Sequence, residues 1–222
     1  MGRFNNDILI SNISALMSNN SVTQEKMAQA IGMSQPNFNH AIHNTGGKRF
    51  TIEQIFDIAH YFGVSIDWLE QAGIVLKCKR LDNAEIPLEA YADLSAFKLY
   101  MSDVGMLTMK SRLPAETVLA NQGNTFLGAL AENYAAQQLH ALELPLFYWE
   151  GATSEIDFVL QLGSSIACIE IKKGVRTRSR SLSVFRQKFK PDICYRFSLK
   201  NFGNENGVRA VPLYAMFCLG KG

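Results

Sequence analysis

The hydrophobic periodicity of this chain changes once, close to Gly73, and that change constrains the fold more than any other feature. Up to residue 72, apolar residues recur at the three- and four-residue spacing of amphipathic helices, without the alternation typical of strands. Beyond Gly73, short alternating segments are mixed with helical ones. The pattern predicts an all-helical domain over residues 1–72 and an α/β domain over residues 73–222, an α + α/β fold class.

Five short helices are predicted in the first domain. One carries the apolar residues Ile8, Ile13 and Leu16, and the other four are expected over residues 23–31, 35–42, 51–62 and 65–71. Thr51 is suited to cap the start of the fourth helix, and Gly63 is suited to end it.

The second and third of these helices have the spacing of two helices that cross at a tight turn. Ala28 is the small residue of the first helix, Gly32 falls at the turn, and Phe38 is the apolar anchor of the second helix. The run from Thr23 to Ala41 resembles the helix-turn-helix of Cro and lambda-repressor proteins, including the five-helix length of the domain.

This resemblance implies that the third helix enters the major groove of double-stranded DNA. Asparagine and glutamine side chains can form paired hydrogen bonds with adenine. The side chains expected at the bases are Ser34, Gln35, Asn37, Asn39, His40 and His43. Those expected at the phosphates are Gln24, Lys48 and Arg49. The alternative is that all of them are exposed polar residues of a helical bundle.

The distribution of charge opposes DNA binding by the first domain alone. Residues 1–72 contain four basic and six acidic side chains, a net charge of about −2, whereas residues 73–222 contain eighteen and fourteen, about +4. Phosphate attraction supplies most of the nonspecific affinity for DNA, so Lys48 and Arg49 would carry much of it. The only concentrated basic segment is 171–190, with eight basic residues and no acidic one.

The second domain is expected to have the core order helix, three strands, helix, strand. Strands are predicted over residues 74–81, 144–149, 155–162, 166–172, 193–199 and 211–218, and helices over residues 94–107, 125–142 and 179–189. Residues 82–94 are predicted to form a loop with one turn, and residues 108–123 to be irregular.

Two of these strands form a predicted hairpin that gathers ionisable groups. If Gly163 and Ser164 form a two-residue turn, the residue numbers of two directly opposed positions add up to 327. Asp157 then faces Glu170, and Glu155 faces Lys172. Because opposed residues share a face of the sheet, all four groups are expected on one side. Ile156, Phe158, Ile169 and Ile171 are expected on the other.

Two carboxylates placed side by side repel each other unless a cation lies between them or one takes up a proton. A hard divalent ion such as Mg²⁺ is the natural cation, with oxygen ligands from Asp157, Glu170 and the Ile171 carbonyl. Lys172 would stabilise an attacking water or the developing phosphate charge, as in metal-assisted phosphodiester hydrolysis. The alternative is a salt bridge on an edge strand.

The spacing of Asp157, Glu170 and Lys172, together with the element order αβββαβ, resembles the PD-(D/E)XK nuclease superfamily. That family often adds a glutamate on the preceding helix, and Glu132 occupies the corresponding place. The resemblance implies that Glu132, Asp157, Glu170 and Lys172 are catalytic and that Asp157 and Glu170 hold the metal. Many members of this fold have lost activity.

A closer resemblance covers most of residues 68–218. It rests on segments such as WLEQAGIV at 68–75, DLSAFKLYMSDVG at 93–105 and SLKNFG at 198–203, which are similar to the C-terminal uncharacterised domain of prokaryotic AAA-type ATPases. The phosphate-binding motif G-x-x-x-x-G-K-[ST] does not occur in this sequence, and Gly47-Lys48 lacks the rest of it. The two resemblances together imply that a helix-turn-helix domain stands where that family has its ATPase.

Other features exclude several classes of protein. The four cysteines show no zinc-ligand spacing, and Cys168, Cys194 and Cys218 are expected to be small core residues of a reduced, cytoplasmic protein. No apolar run reaches the length of a membrane span, and the N-terminus lacks a signal-peptide pattern.

Three functions are consistent with these observations. The first is a DNA-binding protein with a nuclease-fold domain that hydrolyses phosphodiesters with Mg²⁺. The second is a transcriptional regulator whose nuclease-like domain is inactive and serves homodimerisation or partner binding. The third is a rearranged relative of the ATPase family without an independent role.

Overall fold

The computed structural model of the chain describes residues 6–120, 126–174 and 180–219. These residues form two units that divide between Val75 and Leu76. The first contains helices only, and the second is built on a mixed sheet of eight strands. The predicted change from helical to α/β structure is confirmed.

All five predicted helices of the first unit are present. They are α1 (Asn6–Asn19), α2 (Gln24–Ala30), α3 (Gln35–Ile42), α4 (Ile52–Phe62) and α5 (Ile66–Gln71). Leu9 and Ile13 of α1 are buried, whereas Ile8, predicted to belong to the apolar stripe, is 44% exposed. Phe38 is fully buried and meets the ring of Phe50 edge to face, with 5.3 Å between ring centroids.

Local capping explains where the helices of this unit begin and end. The Thr51 side chain accepts a hydrogen bond from the Gln54 backbone N–H, and the Gln54 side chain accepts one from the Thr51 N–H. Gly63 ends α4 in the left-handed conformation, with φ of 58°. Gly32, at the turn between α2 and α3, also has a positive φ, 64°. The predicted cap and stop of α4 are confirmed.

The second unit contains eight strands and four α-helices among its described residues. They are β1 (Val75–Leu81), β2 (Ala92–Met101), α6 (Val104–Lys110), α7 (Ala115–Ala120), α8 (Phe126–Ala141), β3 (Phe147–Gly151), β4 (Ser154–Leu162), β5 (Ser165–Ile171), α9 (Arg180–Phe189), β6 (Ile193–Ser198), β7 (Gly203–Glu205) and β8 (Val208–Pro212). The strand order is β2-β1-β3-β4-β5-β6-β8-β7. The β3-β4, β4-β5 and β7-β8 pairs are antiparallel; the β1-β3, β5-β6 and β6-β8 pairs are parallel.

Three predicted segments of this unit are wrong. Residues 94–107 were expected to be helical, but most of them belong to β2, which adds to the edge of the sheet beside β1. Helix α6 starts only after Asp103, whose carboxylate caps it. Within the segment expected to be irregular, α7 forms. The predicted last strand is β8 followed by a 3-10 helix (Leu213–Cys218), because the strand ends at Pro212.

Helices cover both faces of the sheet. On one face, which we call the α8 face, Ala135 and Leu139 of α8 share a core with Phe158 and Ile169. On the other, the α9 face, the core residues are Leu81, Phe147, Trp149, Ile156, Val159, Cys168, Leu182, Phe185 and Cys194, with others around them.

A β-bulge in β4 decides which side chains reach which face. Phe147 of β3 pairs with Val159 of β4. Trp149 lies two residues after Phe147, but its partner Ile156 lies three residues before Val159. One extra residue is therefore inserted in β4 between these pairs. As a result Ile156 joins the core of the α9 face, while Phe158 joins that of the α8 face. The expectation that these two residues share a face is wrong.

In the part of the chain described by the structure, no helix combines the length and apolar character needed to span a membrane.

Candidate functional site

The predicted hairpin forms with the expected turn. β4 and β5 form five successive pairs, from Leu162 with Ser165 to Phe158 with Ile169, and the residue numbers of each pair add up to 327. The described register therefore agrees with a two-residue turn at Gly163 and Ser164. The regular ladder extends to Phe158, next to the bulge.

The bulge separates the four ionisable groups that were expected on one face. Glu155 precedes Ile156, which lies on the α9 face, so alternation directs Glu155 to the α8 face. Glu170 lies between Ile169 and Ile171, both in the core of the α8 face, so it projects to the α9 face. The described β4-β5 ladder ends at Phe158 and Ile169, before Glu155 and Lys172. These two side chains contact different partners, since Glu155 contacts Lys98 whereas Lys172 contacts Glu170.

Three carboxylates meet on the α8 face. Glu132 of α8, Glu155 and Asp157 each offer a carboxylate oxygen within 4.8 Å of the others. Glu132 was predicted from its place on the helix before the hairpin. Asp157 also accepts a hydrogen bond from the Ile171 backbone N–H, at 2.6 Å from Oδ2. We call Glu132, Glu155 and Asp157 the carboxylate cluster.

A lysine from the edge strand supplies a cation to this cluster. Lys98 of β2 places Nζ 3.0 Å from Glu132 Oε1 and also contacts Glu155. The Tyr100 hydroxyl, on the same strand, donates a hydrogen bond to Glu132. Sequence reasoning missed both residues because it assigned this segment to a helix. The two-residue spacing of Lys98 and Tyr100 was the signal, since such residues share a face of a strand.

The charges in the carboxylate cluster perturb the pKa values of the groups around it. Burial and the neighbouring Glu132 raise the pKa of Asp157 to about 7. The hydrogen bond from the Ile171 N–H lowers this pKa, but by less. Burial lowers the pKa of Lys98, but Glu132 and Glu155 outweigh it and the net shift is upward. Burial, followed by Glu132, raises the pKa of Tyr100. At neutral pH Lys98 is therefore charged, and Asp157 is partly protonated.

Glu170 belongs to a different cluster, on the α9 face. Its carboxylate is 3.0 Å from Lys172 Nζ through one oxygen and 3.3 Å from Arg196 Nε through the other. Glu170 is only 2% exposed. Arg196 of β6, directly paired with Glu170, also lies 3.8 Å from Glu205. Arg196 was not predicted, although an arginine inside the apolar strand sequence ICYRFS was a usable signal.

The two predicted metal ligands have different partners in the structure. Asp157 lies in the carboxylate cluster, whereas both oxygens of Glu170 face the cations of Lys172 and Arg196. The carboxylate cluster has enough oxygen atoms for a hard divalent ion. Lys98 already contributes a positive charge there, and a metal ion would have to compete with it.

The residues predicted to contact DNA lie in the first unit. Asn37 and Gln24 are partly buried, and the other predicted contacts are exposed: Ser34, Gln35, Asn39, His40, His43, Lys48 and Arg49. Ser34 is the residue that precedes α3, and Pro36 occupies the first turn of that helix, where it fits. Lys48 and Arg49 lie in the segment between α3 and α4.

Two side-chain contacts order this surface. Asn39 donates a hydrogen bond to Gln24 Oε1 at 3.0 Å, which joins α3 to the start of α2. His40 Nδ1 lies 3.1 Å from the Thr45 hydroxyl. Gln24, expected at a phosphate, and Asn39, expected at a base, are thus held together.

The basic segment 171–190 is described only in part. Arg180, Arg186, Lys188 and Lys190 are exposed on or next to α9. Arg176 and Arg178 lie outside the described residues. Cys168 and Cys194 are buried as predicted, but Cys218 is exposed, so its assignment to the core is wrong.

Two family models match parts of the chain. A domain of unknown function (DUF8612) matches residues 47–117, a stretch that crosses the division between the two units. Another domain of unknown function (DUF4143) matches residues 127–216, from α8 into the last 3-10 helix. No curated protein and no solved structure matches the chain. The DUF4143 domain is found in proteins associated with AAA-type ATPases, in agreement with the resemblance drawn from the sequence segments.

Proposed function

We propose that this chain is a DNA-binding regulator whose C-terminal unit has a nuclease-like fold but does not hydrolyse phosphodiesters. One observation carries the second half of the proposal. The Glu170 carboxylate is buried between Lys172 and Arg196, apart from the carboxylate cluster that contains Asp157. A hydrolytic site of the PD-(D/E)XK type would need these two carboxylates around one metal ion.

The DNA-binding half rests on the first unit. Helices α2 and α3, with Gly32 at their turn and Phe38 buried beneath, have the elements of a helix-turn-helix. Helix α3 exposes Gln35, Asn39 and His40, side chains able to bond base edges. The double-stranded DNA would lie along this helix, with Lys48 and Arg49 at the phosphates.

The nuclease-like half rests on the order of elements. The succession α8, β3, β4, β5, α9 and β6 follows the αβββαβ order of the PD-(D/E)XK superfamily. A non-hydrolytic unit of this kind would serve homodimerisation or the binding of another partner. Dimerisation would let two α3 helices read two half-sites of one operator.

A magnesium-dependent endonuclease is the second candidate, and the carboxylate cluster favours it. Three carboxylates within 4.8 Å could attract a divalent ion if Lys98 moved away. Glu132, Glu155 and Asp157 would then be ligands. In this candidate Glu170 and Lys172 would have a structural role on the other face of the sheet.

A nuclease assay separates the two candidates. The full chain is incubated with Mg²⁺ or Mn²⁺ and with duplex DNA, branched DNA or RNA, beside the variants Asp157→Asn and Glu170→Gln. If the chain is a regulator, the wild type should cleave no more than the two variants do. Metal-dependent cleavage lost in Asp157→Asn would overturn the regulator and establish the nuclease. If Glu170→Gln also lost metal-dependent cleavage, the carboxylate cluster and the cluster around Glu170 would act together.

DNA binding is tested separately by selecting preferred sites from random duplexes with the full chain. The proposal predicts an enriched sequence motif, and a palindromic motif together with a dimer in sedimentation would support homodimeric binding. Failure to enrich any sequence would exclude the helix-turn-helix function.

A further inference from the structure

Two buried cysteines face each other across neighbouring strands of the sheet. Cys168 of β5 and Cys194 of β6 are directly paired positions of two parallel strands, and their Sγ atoms are 3.0 Å apart. Both side chains lie in the core of the α9 face, 0% and 4% exposed. The S–S bond of a disulfide is about 2.05 Å, so the sulfurs need to approach by only about 1 Å to be bonded.

We propose that Cys168 and Cys194 are a site of reversible oxidation, at which a peroxide converts the two thiols into a disulfide. The competing interpretation is that both are small core residues without chemistry, as the sequence suggested. The two differ in the arrangement they require. A core residue needs only apolar neighbours, whereas a disulfide needs two sulfurs close enough to bond, as these are at 3.0 Å on neighbouring strands.

The reaction balances with hydrogen peroxide as the oxidant. The thiolate of Cys194 attacks one peroxide oxygen, the O–O bond breaks, and the released hydroxide becomes water with the proton of the medium. The resulting sulfenic acid is attacked at sulfur by the Cys168 thiolate, the S–O bond breaks, and a second water leaves. In total, the two thiols lose two protons and two electrons, and the peroxide is reduced to two waters.

The surroundings of the pair assign different roles to the two sulfurs. The hydrogen bond from Cys168, and beyond it the charge of Arg186 on α9, hold the pKa of Cys194 below its ordinary value despite its burial. The same hydrogen bond and burial raise the pKa of Cys168. Cys194 is also the more exposed of the two, at 4% against 0%, so we assign the attack on peroxide to Cys194 and the resolution of the sulfenic acid to Cys168.

The location of the pair gives the bond a structural consequence. Two residues further along the same strands, Glu170 pairs with Arg196 on the same face. A disulfide would fix β5 to β6 directly beside this ion pair. Leu182 and Phe185 of α9 belong to the same core, so α9 has to shift for peroxide to enter. Oxidation is expected to be slower than that of an exposed thiol for this reason.

Peptide mapping of the whole folded protein tests the proposal. The protein is treated with hydrogen peroxide, unfolded in the presence of iodoacetamide and digested without reductant. We expect a cross-linked peptide pair joining Cys168 to Cys194, two hydrogen atoms lighter than the two free peptides and separated again by dithiothreitol. Cys78, which is buried, is expected to be recovered as the alkylated thiol.

Two variants and an internal control in the wild type make the result decisive. The Cys218→Ser variant removes the exposed thiol and should keep the cross-link, whereas Cys194→Ser should lose it. In the wild type, oxidation of the exposed Cys218 shows that the oxidant was active. Complete oxidation of Cys218 with Cys168 and Cys194 both recovered as alkylated thiols would overturn the proposal. A cross-link that forms only after unfolding in urea, or equally with Cys78, would also overturn it.

Discussion

Lys98 Nζ lies 3.0 Å from Glu132 Oε1, and this contact joins the edge strand β2 to helix α8. The same ammonium contacts Glu155, so one cation serves two carboxylates of the carboxylate cluster. The contact is formed by residues 34 positions apart in the sequence. It provides, from within the chain, the positive charge that the crowded carboxylates require.

Removal of this cation should destabilise the second unit. Lys98→Met leaves Glu132 and Glu155 without this ammonium, and we expect a loss of roughly 2 kcal/mol in the free energy of unfolding. This lies below the ~3–5 kcal/mol of a fully buried pair, because a quarter of the Lys98 side chain is exposed. Denaturation followed by Trp149 fluorescence, in a Trp68→Phe background, measures it. Lys79→Met, which breaks the more exposed pair with Glu89, is the matched control and should cost less than about 1 kcal/mol.

The same variant tests whether Lys98 competes with a metal ion. Without the ammonium, the three carboxylates are free to bind Mn²⁺, which would stabilise the folded state by mass action. Millimolar Mn²⁺ should therefore raise the melting temperature of Lys98→Met more than that of the wild type. Equal shifts in both proteins would show that Lys98 does not occupy a cation position.

The carboxyl of Asp157 should make stability depend on pH. Its pKa of about 7 in the folded protein is above the ordinary value of 3.8, so the folded state binds the proton more tightly than the unfolded chain does. The bound proton therefore adds at most about 4 kcal/mol to the free energy of unfolding. This stabilisation is complete below about pH 4 and is lost as the pH rises through about 7. Asp157→Asn should flatten this decline and be at least as stable as the wild type at pH 8. The matched control is Glu150→Gln, an exposed carboxylate of β3, which should leave the decline in place. If the stability of Asp157→Asn declined with pH as that of the wild type does, another ionisable group would be responsible for the decline.

Gln35 and Asn39 should differ in their effects on DNA binding. Loss of either base contact should weaken binding to the preferred site by ~1–3 kcal/mol, and Gln35→Ala should leave nonspecific binding nearly intact. Asn39→Ala also releases Gln24, which it bonds, so it should additionally weaken binding to all duplexes. Titrations of specific and random duplexes measure both effects. Gln71→Ala, exposed at the end of α5, is the control and should bind as the wild type does.

Lys48 and Arg49 should account for part of the salt dependence. Replacement of both by glutamine should reduce the slope of log affinity against log salt concentration by roughly two. The control replaces Lys110 and Arg112, which are exposed in the second unit and carry the same charge. If the slope stays the same in the Lys48 and Arg49 variant, the phosphate contacts lie elsewhere, and the basic segment 171–190 would be the next to test.

The sequence by itself determined the features that local interactions decide. Helices α2 to α4 were predictable because caps such as Thr51 and turn residues such as Gly32 and Gly63 act within a few positions. The register of the hairpin was predictable because the two-residue turn at Gly163 and Ser164 fixes which residues oppose each other. Glu132 was predictable only through a family resemblance, which places a glutamate on the helix before the hairpin.

Only the tertiary structure decided how these elements combine into a site. The bulge in β4 arises in its pairing with β3 and directs Glu155 to the face opposite that of Glu170. Strand β2 forms beside β1 where the sequence favoured a helix, and it brings Lys98 to Glu132. Arg196 reaches Glu170 because β6 lies next to β5. Each of these outcomes depends on contacts between residues distant in the chain, whose free energy overrides the weak local preferences visible in the sequence.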